Sequence, residues 1–225
     1  MLYLKHEKNE KYEELSEILK EIQIYPQRFL PLHIVHVPYS LSSTLFQHKT
    51  LNSNNIVNMY SFIKNNGALS ELLARFVIRQ IIHVLNECKQ NHVFPKIISR
   101  SDIYINTSNL FIKVIIPQVN VPYKSQPTST LPCSTYYLPP EWLKHKQYNI
   151  DSFLTWNIGL LLFFMLYNRM PFLSRWEIMY CPVILHRQKL LDANLFIGWC
   201  LAKKIKKRIT LKECQHHPWI TQTYI

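Results

Sequence analysis

DSFLTWNIGLLLFFMLYNRMPF, Asp151 to Phe172, is the segment that decides the fold. From Ile158 to Tyr167 no residue is charged or carries a side-chain amide. A helix built from it is apolar on every side, and such a helix belongs inside a packed core. A membrane span would need ~20 predominantly apolar residues. Here Asp151 and Ser152 precede the run, Asn157 interrupts it, and Asn168 and Arg169 close it. The segment therefore reads as a buried central helix, with Trp156, Leu160, Leu161, Phe164 and Met165 turned into the core.

The composition suits such a core. The chain has 225 residues, 48% hydrophobic and 18% charged, enough for one large domain or two small ones. Five cysteines, Cys88, Cys133, Cys181, Cys200 and Cys214, are odd in number and never form a CxxC pair, so they read as thiols rather than a disulfide framework or a zinc site. No basic stretch leads into an apolar one at the N-terminus, which makes a cytoplasmic or nuclear address the expectation. The net charge of +12 raises the question of nucleic acid or acidic lipid as partner. The basic residues are nevertheless scattered, except for Lys203, Lys204, Lys206, Lys207 and Arg208, which read as a solvated loop. Only three glycines occur, Gly67, Gly159 and Gly198, far apart. They cannot form a GxGxxG or Walker-type phosphate loop, whose backbone must come close to the phosphates.

Outward from the central helix, Ser70 is placed to cap a helix over 71–89, with Leu72, Leu73, Phe76, Val77, Gln80, Ile81, Val84, Leu85 and Cys88 as its stripe. IVNMYSFIKNN, Ile56 to Asn66, has helical spacing and ends at Gly67. Residues 93–119 alternate β-branched and turn residues and read as short strands, while 120–135 is a Pro/Ser/Thr-rich loop. Beyond the centre come a short helix over 175–180, another over 192–202, and a last one over 210–214 that runs into HHPWI. Residues 1–62 are less readable: a strand near Leu2–Lys5, an amphipathic helix over 11–22, and a strand in LHIVHV, Leu32 to Val37.

Several of these pieces recur together. NGALSELLARFVIRQIIHVLNECKQNHV, from Asn66, YYLPPEW, Tyr136 to Trp142, the central helix with Trp156 and Gly159, and IGWCLAKKIKKRITLKECQHHPWI, Ile197 to Ile220, resemble the protein-kinase fold, most closely the Pim family of serine/threonine kinases. The resemblance covers roughly 56–220. It implies an α+β fold with a mainly helical C-lobe over 56–225 and a remnant N-lobe over 1–55 that lacks the Gly-rich hairpin. It also places Glu141 and Arg208 where kinases form a buried ion pair.

At the catalytic positions the resemblance implies losses. Kinases use a carboxylate to accept the substrate proton, an Asn and an Asp to hold magnesium, and a strand lysine to grip the phosphates. Aligned through HVFPKIISRSDIYI, the His-Arg-Asp positions are Pro95, Lys96 and Ile97, the catalytic lysine position is Ser99, and the metal-binding Asn position is Asp102. The Asp-Phe-Gly positions fall near Val114, Ile115 and Ile116. Lys5, with Glu14 or Glu17, stands as a remnant of the nucleotide lysine and its ion-pair partner. The expectation is a pseudokinase that is not an enzyme, holds no cofactor, with ATP and magnesium binding doubtful and no metal, and serves as a binding or decoy module. Two other classes compete with it. One is a divergent active serine/threonine kinase using Asp102, and the other a basic nucleic-acid or membrane-surface binder, whose binding would fall steeply with salt. Trp176, Met179 and Tyr180 form the candidate docking surface for a protein partner, another kinase or its regulator, whereas an acidic position that reads basic substrates is here Ser101. No membrane span and no specific nucleic acid are expected.

Overall fold

The computed structural model describes residues 33–37, 56–90, 98–106, 112–117, 135–186 and 190–222, with 33–37 and 112–117 described as backbone. The strand near Leu2–Lys5, the helix over 11–22, the loop over 120–134 and Cys133 lie outside these residues. Strand β1 (His33–Val37) is followed by β2 (Ile56–Asn58), α1 (Met59–Asn66), α2 (Glu71–Gln90), β3 (Ile103–Asn106) and β4 (Ile112–Pro117). Helices α3 (Pro140–His145), α4 (Ile150–Tyr167), α5 (Arg175–Tyr180), α6 (Leu191–Cys200), α7 (Leu211–His216) and α8 (Pro218–Thr221) complete the order, making the described chain helix-rich with one small sheet.

The sheet has the order β1-β4-β3-β2. Strand β4 is antiparallel to β3 and parallel to β1, with His33 opposite Lys113. The helix expected over 56–66 is corrected at its start. Ile56–Asn58 pairs antiparallel with β3, Ile56 opposite Asn106. The β-branched Ile56 and Val57 suit a strand once a partner exists. Asn58 then caps α1, its Oδ1 accepting from Ser61 N at 2.7 Å. At the other end of α1, Gly67 adopts φ 87°, a left-handed setting that an L side chain resists, and its N–H donates to Ile63 O at 2.8 Å.

Helix α4 is the axle. Asn149 caps its start, accepting from Ser152 N at 3.1 Å, and Asn168 ends it in the left-handed region at φ 51°. Among the described residues it is the one helix long and apolar enough to cross a membrane, and 83% of it is buried inside the fold, as a core helix is. Trp156, Leu160, Leu161, Phe164 and Met165 are all buried, as expected. Against α4 pack α6 and α2, with α7 filling the corner. Gly159 is what lets α6 approach so closely: a Cβ there would stand 2.7 Å from Cys200 Cβ and 2.8 Å from Leu201. Lys89 Nζ meets Asp151 Oδ2 at 2.6 Å and pins the end of α2 to the start of α4. Trp219 Nε1 on α8 donates to Glu71 Oε1 at 2.6 Å at the other end of α2.

Candidate functional site

Ahead of β3 the chain makes a tight turn. Ile98 is buried and anchors it, and Ser99 then gives both its backbone N–H (2.8 Å) and its hydroxyl (2.6 Å) to Oδ2 of Asp102. Asp102 N returns a bond to Ser99 O at 3.0 Å. Asp102 is thus oriented by its own turn, in the manner of a side chain that closes a local backbone ring. Arg100 fixes the turn to the core. Its guanidinium carbon lies 4.6 Å from the centroid of Tyr60 on α1 and 4.7 Å from that of Phe164 on α4, a cation held against two rings. Tyr137, whose hydroxyl titrates above its ordinary value because it is buried, bonds to the Arg100 backbone.

The antiparallel register of β3 and β4 sets Ile103 opposite Val114. Asp102 precedes Ile103 and Ile115 follows Val114, so the hairpin brings Asp102 to the Val114, Ile115 and Ile116 end of β4. Two separate stretches singled out in the sequence therefore meet at one end of the sheet. Pro95, Lys96 and Ile97, and the remnants Lys5, Glu14 and Glu17, lie outside the described residues. Among the described residues no group of three or more His, Cys, Asp or Glu side chains gathers to hold a metal ion. Magnesium, however, is commonly held by one or two carboxylates together with substrate phosphates. Asp102, a hard oxygen donor held in place by two bonds from Ser99, fits a magnesium that arrives on phosphates.

The ion pair expected between Glu141 and Arg208 is present and buried, with side-chain exposures of 6% and 0%. It is bidentate, Nη1 to Oε1 at 2.7 Å and Nη2 to Oε2 at 2.9 Å. Arg208 also donates to Ser152 O and Oγ, at 3.0 and 2.9 Å, and through Nε to Ala202 O at 3.0 Å. Its guanidinium carbon is 4.9 Å from the centre of Trp156. The ring of Trp156 stacks on Phe172 at 5.7 Å.

Lys203 corrects the picture of a solvated basic loop. Its Nζ lies 3.6 Å from the centre of Phe172 and 5.2 Å from that of Trp156, and it donates to the carbonyls of Ile178 at 2.6 Å and Glu177 at 3.2 Å. Burial pushes this ammonium down to about 8. Lys204, Lys206 and Lys207 are exposed as expected, whereas Arg208 is in the core. No spacing rule marks Lys203 out from its neighbours.

On α5, Ser174 caps the start and accepts from Glu177 N at 3.1 Å. Ile178 alone turns fully inward. Trp176 and Tyr180 are 64% and 66% exposed and meet each other one turn apart at 5.9 Å, while Met179 is half-buried. Trp176 and Tyr180 thus stand on the surface while Met179 is partly covered, and Trp176 does not fold back against the core.

The protein kinase domain model matches residues 2–220. Serine/threonine-protein kinase prk-2 of Caenorhabditis elegans is 29% identical over 170 residues, 74% of this chain and 38% of that protein. Serine/threonine-protein kinase pim-2 of Danio rerio is 26% identical over 168 residues, 75% of this chain and 54% of that protein. Human NUAK family SNF1-like kinase 2 is 26% identical over 219 residues, 94% of this chain and 34% of that protein. The chain thus spans about half or less of the relatives it matches. These findings overturn the expectation that the chain is not an enzyme. The match runs through the loop and the strand at which losses were inferred, and the relatives are named as kinases. That inference rested on a residue-by-residue register through 95–116 and on nothing else in the chain.

Proposed function

The chain belongs to the protein kinase domain family, and from that premise we propose that it is a serine/threonine protein kinase domain, transferring a phosphoryl group from ATP to a protein hydroxyl. The observation that supports this most is the turn at 99–102, which holds the Asp102 carboxylate by two bonds from Ser99 where the resemblance puts a metal-binding residue. Phosphoryl transfer asks a protein mainly for positioning and charge stabilisation. ATP with magnesium supplies the reacting phosphoryl group. In this reading Asp102 supplies one oxygen toward that magnesium, Ser99 fixes the rotamer of Asp102, and Arg100, held between Tyr60 and Phe164, keeps the turn from shifting. The buried Glu141–Arg208 pair ties α3 to the core.

The test is transfer of labelled phosphate to protein substrates by the purified chain. Asp102→Ala should abolish it. Asp102→Asn, which keeps a side-chain oxygen for Ser99 and restores the amide found in the family, should retain activity within about tenfold. Transfer that Asp102→Ala leaves unchanged, or that never exceeds a mock preparation, sinks the proposal.

A second reading concerns partners, and the exposure of Trp176 and Tyr180 favours it. Paired aromatic residues on a short, well-capped helix mark a protein-binding surface. In this reading α5 docks another kinase or a kinase regulator, beside the phosphotransfer rather than in place of it.

A further inference from the structure

Helix α6 is apolar nearly all round, and such a helix is normally covered on all sides. Here one face is covered: Ala193, Phe196, Ile197 and Cys200 are wholly buried, mostly against α4. The opposite face is not. Leu191 is 65% exposed, Leu195 51% and Trp199 50%. These residues recur every fourth position, so they form one ridge along the helix, roughly 12 Å long at 1.5 Å per residue. The chain then passes directly from the end of α6 into the turn at 201–208, tied back by Ile209 N donating to Trp199 O at 3.3 Å. That turn exposes Lys204, Lys206 and Lys207, with the 43% exposed Ile205 among them.

We infer that this ridge is a docking surface for an acidic amphipathic helix of another protein, whose apolar stripe would lie along Leu191, Leu195 and Trp199 and whose carboxylates would face Lys204, Lys206 and Lys207. Ridges of residues spaced by four are what one helix presents to the groove of another. Charge selects the partner. A second copy of a chain carrying +12 is repelled by the same lysines, whereas an acidic helix is drawn in and oriented by them. An anionic membrane fits less well, because the apolar part of the surface is a single ridge of three side chains about 12 Å long, the footprint of one helix rather than of a bilayer. The surface shares no residue with Asp102, Trp176 or Tyr180, so the inference stands apart from the proposed phosphotransfer.

The probe is a labelled peptide of about five helical turns with leucine on one face and glutamate elsewhere, followed by fluorescence anisotropy with the whole chain. Saturable binding is expected. Scattering the same leucines off the common face of the peptide should weaken it by about tenfold or more. The decisive variant is Leu191→Lys/Leu195→Lys, which removes the ridge while adding positive charge. It should lose about tenfold in affinity, and so should Lys204→Glu/Lys206→Glu/Lys207→Glu. Equal or tighter binding by the leucine-to-lysine variant would mean charge attraction alone and overturn the inference. So would indifference to the scattered peptide, which needs no protein variant to read. Absence of peptide binding also overturns it. In that case, ridge-dependent capture by phosphatidylcholine/phosphatidylserine vesicles would point to a membrane, and ridge-dependent self-association to a second copy.

Discussion

Arg208 shows how much one buried side chain can organise. Its guanidinium makes five hydrogen bonds, to Glu141, Ser152 and Ala202, and its flat face lies over Trp156. Removing the acid would leave the cation buried with its bonds unmade, so Glu141→Ala should destabilise the chain by about 3–5 kcal/mol. Chemical denaturation of the variant against the parent measures this, and a midpoint within error of the parent would contradict it. The pair itself could be picked out from Glu141 in YYLPPEW and Arg208 in the last segment. Its contacts to Ser152 and Ala202 could not, because hydrogen bonds to backbone oxygens leave no mark in residue type. Lys203 illustrates the same limit and makes a prediction about pH. Its ordinary pKa is 10.5, and in the fold burial brings it to about 8. Between those values the unfolded chain binds a proton that the folded chain does not, so raising pH through this window favours the folded state. The cost of burying the ammonium is therefore full below pH 8 and is relieved as pH rises toward 10.5. Relative to Lys203→Met, the melting temperature of the parent should improve across that window. A constant difference would mean that the ammonium is as well solvated in the fold as outside it.

At the scale of elements, α4 was legible from the sequence because a run without a polar face has only one stable place to go. Its partners were legible to differing degrees. Helix α2 carried its stripe openly and its Ser70 cap formed as expected, with Ser70 Oγ accepting from Leu73 N at 3.3 Å. Strand β2 was hidden inside a helical-looking stretch, since only the distant β3 makes Ile56 and Val57 extend. The catalytic positions were the least legible, because Pro95, Lys96 and Ile97 were placed by counting along the chain and not by any physical constraint. The packing of α4 on α6 can be probed from both directions. Leu161→Ala deletes a buried side chain and should cost about 2–5 kcal/mol. Gly159→Ala does the reverse, driving a methyl group into the rigid Cβ of Cys200, and should cost about 1–3 kcal/mol by forcing the helices apart. Equilibrium unfolding of the two variants checks this, and a neutral Gly159→Ala would show that the helix pair is looser than its contacts imply.

For the whole molecule, the helical body presents distinct faces: the Asp102 end of the sheet, the aromatic end of α5, and the ridge of α6. If α5 serves partners, a Trp176→Ala/Tyr180→Ala double variant should lose recovery of a bound kinase or regulator in pull-down while melting close to the parent, since both side chains are mostly in solvent. Undiminished recovery would remove α5 from consideration. The sheet has a different bearing on the molecule. Its outer strand β1 is laid parallel to β4, and residue 33 must find residue 113 across all of β2, α1, α2 and β3. A parallel pairing so distant along the chain returns no binding energy until a long loop has been closed, which makes it an intrinsically slow contact. Assembly of this chain therefore has a direction. The β3–β4 pairing joins residues close in sequence and needs no such closure, whereas β1, like the contact of α2 with α4, waits for a long loop to close. A nascent chain consequently carries β1 unpaired until residues 112–117 have been made and β4 can receive it.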